Sequence, residues 1–424
     1  MSAIADRIRG IVRAPLPIVA PNSPAVPAQA GQTGSPVKTL ERTLGGDWRD
    51  GCFVVERRRK PDTKHGRETV ATLAQRLDRS AAEASFFADG TARPPFVFFD
   101  LETTGLSGGA GTQAFLVGCG GFAEDGGFVT RQFLLTRPAD ERALLQTVRA
   151  ELAGAGVLVS FNGKSFDAPL LETRYAFHRV EWIRDRLPHL DVLHPARRFW
   201  NGEDCSLGAL EARLLGLRRA GDVAGFEVPS RYFRFVRTGN PEPLVAVLEH
   251  NRQDLLTLAA LTARLLHLSR AGVSEARDAA EALALGRIYA RAGLEERSRE
   301  AFIRAIAMSR APAGAFDPIR IESLRLLALA WRRTRCYEEA EKCWRQLSEV
   351  HGCPPHIVRE ATEALAIHYE HRAPNLLTAK EFALQGLRAP LTPSAQQASE
   401  HRLARLDRKL RTQRGASSMP VLEY

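Results

Sequence analysis

The run Phe96-Val-Phe-Phe99 is apolar without a break and passes directly into Asp100-Leu-Glu102. Such a run predicts a strand buried on both faces, and the acids that follow put carboxylates at its tip. Side chains alternate along a strand, so Asp100 and Glu102 point the same way and can grip one cation. A solvated strand end accounts easily for one acid; two on one face after an apolar run favour a hard metal ion. Beyond a glycine-rich turn at 105–111, residues 114–122 and 127–135 predict two more strands. Gly108, Gly109 and Gly111 either bring backbone close to a ligand or simply close the hairpin. A helix over 140–152 then leads to a second buried strand at Val157–Phe161, and a third centres on His189–Leu193.

The second strand also ends in polar residues, Asn162 to Asp167. Gly163-Lys164-Ser165 resembles the end of a phosphate-binding loop, but Leu158 stands where that motif requires glycine, which rules it out. Asp167, just before Ala168-Pro169, suits a helix N-cap as well as it suits a metal ligand. Asp191 reads as a structural carboxylate behind the site. Residues 205–217 predict a helix, and Pro243–Leu268 a longer one with the stripe Val247, His250, Asp254, Leu258, Leu261 and Leu265. His250 and Asp254 stand one turn apart on the face that packs on the sheet. A carboxylate buried there needs a cation beside it. The histidine is either a satisfied core residue or, among these acids, a base. The order of elements describes an α/β fold, a mixed five-stranded sheet with flanking helices.

On either side of this region the pattern changes. Residues 4–12 allow a short amphipathic helix, 15–36 read as a Pro/Ala/Ser/Gly tether, and 1–38 together form a tail and linker. An N-terminal segment, 39–93, carries a short strand at 52–56 and a helical stretch at 69–87 and packs on the following domain, 94–270. Its basic run Arg57 to Lys60 meets phosphates or lies in a solvated loop. From 279 to 390, Ala, Leu, Arg and Glu predominate. Leu285-Gly286, Tyr289, Gly293, Phe302 and Ala305 match tetratricopeptide spacing, and Leu327-Ala328, Trp331, Ala340 and Trp344 echo it 42 residues later. An all-α helical-repeat domain follows the sheet, its aromatics serving as core and its groove open to a protein partner. Residues 391–424 form a basic tail.

With 424 residues the chain is long enough for several domains, and 44% hydrophobic with 25% charged residues is ordinary for a globular protein. Net charge of +10 favours a polyanionic partner. No apolar run reaches the ~20 residues of a membrane span, so neither a membrane nor a secreted home is expected and a cytoplasmic one is. The 6 cysteines are scattered and imply no disulfide framework, and Cys336, Cys343, His351 and Cys353 fit no zinc spacing.

Asp100, Glu102, Asp167 and Asp254 make four carboxylates, enough for two divalent cations, and oxygen donors suit Mg²⁺ or Mn²⁺. His250 has the right chemistry to deprotonate a water. At this point the chain resembles the DEDD exonucleases of the ribonuclease H-like superfamily, the group that includes the proofreading subunit of bacterial DNA polymerase. Asp100-Leu-Glu102-Thr-Thr-Gly-Leu, Phe161-Asn162 through Phe166-Asp167, and His250-Asn-Arg-Gln-Asp254 carry the resemblance. More closely, it looks like a bacterial family of ribonuclease H-like exonucleases joined to a tetratricopeptide region. The resemblance implies a two-metal 3′-to-5′ exonuclease acting on single-stranded ends of DNA or RNA, with Thr103, Thr104 and Asn162 at the substrate. In one respect the chain departs from that pattern: histidine-type members place their His five residues before the last Asp, and here it stands four before. The competing expectation is a nucleic-acid-binding scaffold with an inactive nuclease domain.

Overall fold

The computed structural model describes residues 36–105, 111–182, 187–200, 204–219, 221–312, 314–387 and 393–417. The helix expected at 4–12, the tether up to 35 and two loop glycines, Gly108 and Gly109, lie outside these residues. The described chain opens with helix α1 (Pro36–Leu44), strands β1 (Asp47–Arg49) and β2 (Cys52–Arg59), and a small hairpin of β3 (Lys64–His65) and β4 (Glu68–Thr69). Helix α2 (Val70–Arg79) follows, capped by the Thr69 hydroxyl, which accepts from the Thr72 N–H. Next come β5 (Phe96–Thr103), β6 (Ala114–Phe122), β7 (Phe128–Leu134), α3 (Glu141–Leu152), β8 (Val157–Ser160), α4 (Asp167–Phe177), β9 (His189–Asp191) and α5 (Leu193–Phe199). A short α6 (Leu207–Leu210) runs into a π-helical turn at Glu211–Leu215, and α7 (Val228–Thr238) and α8 (Glu242–Ala271) close this part.

One mixed sheet runs in the order β1-β2-β7-β6-β5-β8-β9. β8 lies parallel to both β5 and β9, and the remaining pairs are antiparallel. The five expected strands make up β5 to β9, and β1 and β2 add two more at one edge. The extension arises because β2 is longer than expected and pairs along all of β7, from Phe53 opposite Leu134 to Arg59 opposite Phe128. Arg57 to Arg59 are therefore strand residues, not a phosphate-seeking loop. Arg57 donates to the carbonyls of Leu44 (2.7 Å) and Gly45 (2.9 Å), Arg58 pairs with Asp125, and Arg59 pairs with Glu249 at 2.8 Å.

Alternation along β5 divides the core in two. Phe98, with Phe128, Val157 and Val159, meets the C-terminal half of α8 on one face; Phe99 and Leu101, with Val117 and Phe133, meet α3 and α4 on the other. Each such side chain contributes about 1.5–3 kcal/mol on burial. Helix α8 has 30 residues, about 45 Å of length. Pro243 sits in its first turn, and Gly272 stops it at φ 84°, a conformation glycine adopts without strain.

Helices α9 (Ala279–Arg291), α10 (Glu295–Met308), α11 (Pro318–Arg333), α12 (Tyr337–Glu349), α13 (Pro355–His371), α14 (Leu376–Leu387) and α15 (Pro393–Ser417) follow, each packed on the next. Gly286 lets α9 approach α10: a Cβ there would lie 2.4 Å from the Phe302 ring. Tyr289, Phe302 and Trp344 are buried, while Trp331 lies under the Arg299 guanidinium, 4.7 Å from the ring centre. The core is continuous with that of α8, since Leu258, Leu261 and Leu265 share it with Ala282, Leu285 and Tyr289. Part of the charge in the expected basic tail is used internally: Arg405 and Lys409 both clasp Glu370 at 2.8 Å and hold its carboxyl at about 2 against the upward pull of burial. Among the described residues no helix is long and apolar enough to cross a membrane.

Candidate functional site

The buried strand β5 carries Asp100 and Glu102 on the face crossed by α8. Opposite Asp100 stands Gly118, and opposite Gly118 stands Gln132. A Cβ on Gly118 would fall 2.2 Å from the Asn251 side-chain oxygen, so the glycine makes room for Asn251. Asn251 then donates from Nδ2 to Asp100 Oδ2 (2.8 Å) and accepts at Oδ1 from Gln132 Nε2 (2.8 Å), which fixes the carboxylate. Immediately beyond Glu102 the register of β5 against β6 shifts by a bulge, so that Thr103 faces Ala114. The hydroxyls expected at the substrate are turned onto their own loop. Thr103 Oγ1 donates to the Gly105 carbonyl (2.7 Å), and Thr104 Oγ1 accepts from the Gln113 N–H (2.9 Å).

The second strand delivers Asp167 through a tight turn. Asn162 takes a left-handed conformation at φ 68°. Its N–H and that of Lys164 both donate to Asp191, at 2.7 and 3.0 Å, and the Leu193 N–H does so at 3.1 Å. Asp191 is thus the structural carboxylate that shapes the turn, and Asn162 contributes its backbone to that turn. Asp167 is not the N-cap of its helix. Phe166 occupies that position without a side-chain cap, and Asp167 is the first helical residue. The helix begins one residue early for Asp167 to cap it, and the entering turn is closed by a wide bond from the Ala168 N–H to the Gly163 carbonyl (2.8 Å). The Asp167 carboxylate lies against Gly163, where a Cβ would come within 3.0 Å of Oδ2, and the Phe166 ring is 57% exposed beside it.

Helix α8 supplies His250 and Asp254. The cation that a buried Asp254 requires is present in the chain: Arg219 Nη2 lies 2.6 Å from Asp254 Oδ1 and 2.6 Å from Glu211 Oε2, and its Nη1 lies 3.2 Å from Asp222. Glu211 also accepts from the Thr257 hydroxyl, which in turn meets His65 Nε2 at 3.1 Å. His250 Nδ1 stands 2.7 Å from Asp222 Oδ1, and its Nε2 lies 3.4 Å from Asp254 Oδ2. With Nδ1 protonated toward Asp222, Nε2 faces the acids as the basic nitrogen.

An edge of each of the four acids reaches solvent, yet protein surrounds the carboxyls densely enough to govern their charge. Burial, and then the neighbouring Asp254, Glu102 and Asp167, drive Asp100 well above the usual carboxylate range, although Asn251 opposes this. Burial pushes Glu102 up to about 8, with His250 pulling it back. Burial and Asp191 push Asp167 up to about 7. Asp254 is also raised by burial, against His250 and Arg219. For His250, burial lowers the pKa, but Asp254, Asp222 and Glu102 outweigh it and raise it overall.

Among the described residues no three His, Cys, Asp or Glu side chains already close round one point as a metal cage. The donor set nevertheless fits hard cations: the acids are oxygen donors whose mutual repulsion only protons or positive ions relieve. Asn251, Asp222, Arg219 and Glu211 were not among the expected functional residues. Asn251 is legible in retrospect, since Leu244, Leu248, Asn251 and Leu255 form a buried helical stripe with one polar member. Arg219 and Asp222 lie in an aperiodic stretch that gives no such signal.

Comparison with known proteins bears on the fold and the family. Residues 97–266 match the RNase_H superfamily. Over 376 residues the chain is 32% identical to the "Uncharacterized protein YprB" of Bacillus subtilis (strain 168), covering 84% of this chain and 86% of that one.

Proposed function

Because this chain belongs to the same family as YprB and carries an RNase_H superfamily domain, we propose that it is a metal-dependent 3′-to-5′ exonuclease acting on DNA or RNA. The observation that carries this reading is the meeting of Asp100, Glu102, Asp167 and Asp254, from β5, α4 and α8, in one mutually repelling group beside His250. Asp100, Glu102, Asp167 and Asp254 would hold two divalent cations, Mg²⁺ or Mn²⁺, which supply an activated water and neutralise charge on the scissile phosphate. The chain's own residues do the rest. Asn251 orients Asp100, and Arg219 balances Asp254 from the side of Glu211. His250 takes the water's proton at Nε2, while Asp222 holds the imidazole by Nδ1 and steadies the imidazolium that results.

Residues 94–270 make up the catalytic domain of this reading. The helical hairpins of 279–390 are of tetratricopeptide type and offer a groove to a protein, and the protein acts in the cytoplasm.

The test is incubation of 5′-labelled single-stranded DNA and RNA with Mn²⁺. Stepwise shortening toward the labelled end is expected, and folded protein that shortens neither strand overturns the reading. In the same assay His250→Ala should lower the rate by about 10²-fold and flatten its acidic limb, with Asp222→Ala about tenfold slower. Superimposable pH profiles for wild type and His250→Ala would remove the histidine from the proton transfer.

A further inference from the structure

Away from the acids, the surface of α7 combines bare aromatic rings with free positive charge. Its inner side is firmly rooted. Val228, Tyr232 and Phe235 are buried, and the Tyr232 ring stacks on Phe115 with 4.1 Å between centroids and 11° between planes. Phe115 follows Ala114, the partner of Thr103, so α7 is fastened at the end of β5 that carries the acids, and it also packs on α8.

The outer side is different in kind. Phe226, in the turn before the helix, is 72% exposed, Phe233 50% and Val236 43%. Arg234 and Arg237 are exposed among them and form no ion pair with any described residue, while Arg231 pairs with Glu227 at 3.1 Å. An open cleft of about 450 Å³ runs from Ser230, Arg231 and Arg234 to Asn240 and Pro243 at the start of α8, with Glu227 and Glu242 also on its walls. A cluster of Phe rings left in water forgoes the stabilisation of burial, so exposed rings grouped in this way call for an occupant. An apolar protein face would bury Arg234 and Arg237 without partners. Single-stranded nucleic acid satisfies both features, its bases stacking on the rings and its phosphates meeting the guanidinium groups.

We propose that the outer face of α7, with Phe226, is a docking surface for single-stranded nucleic acid and leads the strand to the acidic site. The direction of the strand rests on the nuclease reading; the docking itself does not.

Fluorescence anisotropy in EDTA with labelled single strands of about 20 nucleotides tests it on the full chain. Phe226→Ala/Phe233→Ala and Arg234→Glu/Arg237→Glu should each weaken binding by at least about tenfold, with unchanged melting curves. An equal charge reversal on the helical region, Arg310→Glu/Arg332→Glu, should change it less than about twofold. Three results overturn the proposal: no binding by wild type, equal binding by the α7 variants, or an equal loss in the Arg310/Arg332 control. So does a loss confined to anionic phospholipid vesicles. Mn²⁺-dependent hydrolysis of bis(4-nitrophenyl) phosphate reports on the acids alone and should be the same in the α7 variants. A wild type that shortens neither labelled strand, and whose strand binding the α7 variants still lose, leaves the docking surface standing and removes the nuclease.

Discussion

Asp100→Asn is expected to lower Mn²⁺-dependent shortening of a 5′-labelled strand by about 10³-fold or more, a barrier increase of about 4 kcal/mol. The same substitution is expected to make the metal-free protein more stable. The asparagine keeps an oxygen for Asn251 to donate to at the 2.8 Å contact, so that hydrogen bond survives. What disappears is a buried acid that Asp254, Glu102 and Asp167 all repel. In EDTA near pH 8 the variant should gain about 1–2 kcal/mol over wild type, and little at pH 5, where protons already relieve the repulsion. Urea unfolding at the two pH values checks this alongside the activity gel. Lost activity with lost stability at both pH values would mark Asp100 as a packing residue and contradict the assignment.

Stability should therefore depend on both pH and metal. Glu102 and Asp167 keep their protons in the fold up to about 8 and about 7. In the unfolded chain they release them near 4.3 and 3.9. Between these limits the folded state binds more protons, so this stabilisation is complete below about pH 4 and is lost as pH rises through about 7–8. The raised His250 acts in the same direction. His65, pushed down to about 4 by burial, acts in the opposite one, gaining stability as pH rises through 4–6.5. Comparing EDTA with Mn²⁺ separates the site from His65, because a cation replaces the protons of the acids alone. Without metal, stability should fall by about 2–4 kcal/mol from pH 5.5 to 8.5, and Mn²⁺ should cancel most of that fall. Parallel EDTA and Mn²⁺ curves over that range would mean that no cation binds among these acids.

What was legible in the sequence depended on period and on chain distance. Phe96–Phe99 and Val157–Ser160 announced themselves as buried strands because an unbroken apolar run has few other uses, and the stripe on α8 gave its helix and two of its polar members. The longer reach of β2 was hidden because the arginines at 57–59 look like a loop, and only their partners Leu44, Gly45, Asp125 and Glu249 make them tolerable in a strand. Asp167 stays open between cap and metal ligand in the sequence, because the left-handed Asn162 that shapes the turn before it cannot be seen in residue types alone. Arg219 and Asp222 were invisible for a different reason. They belong to the site by reaching across 35 and 28 positions of chain to Asp254 and His250, with no repeat to betray them.

Gly118 has one more consequence, for angular register. Asn251 enters the gap above Gly118, and Leu255 comes within 3.5 Å of where a Cβ of Gly120 would lie, so α8 is keyed to the sheet at two points one turn apart. Each residue of a helix turns the next by about 100°. On a helix locked this way, a histidine five residues before Asp254 would stand in place of Glu249, rotated toward Arg59 and Arg252 and away from Asp222. The four-residue interval is therefore the one that, with α8 seated on these glycines, aims an imidazole at both Asp222 and the acids.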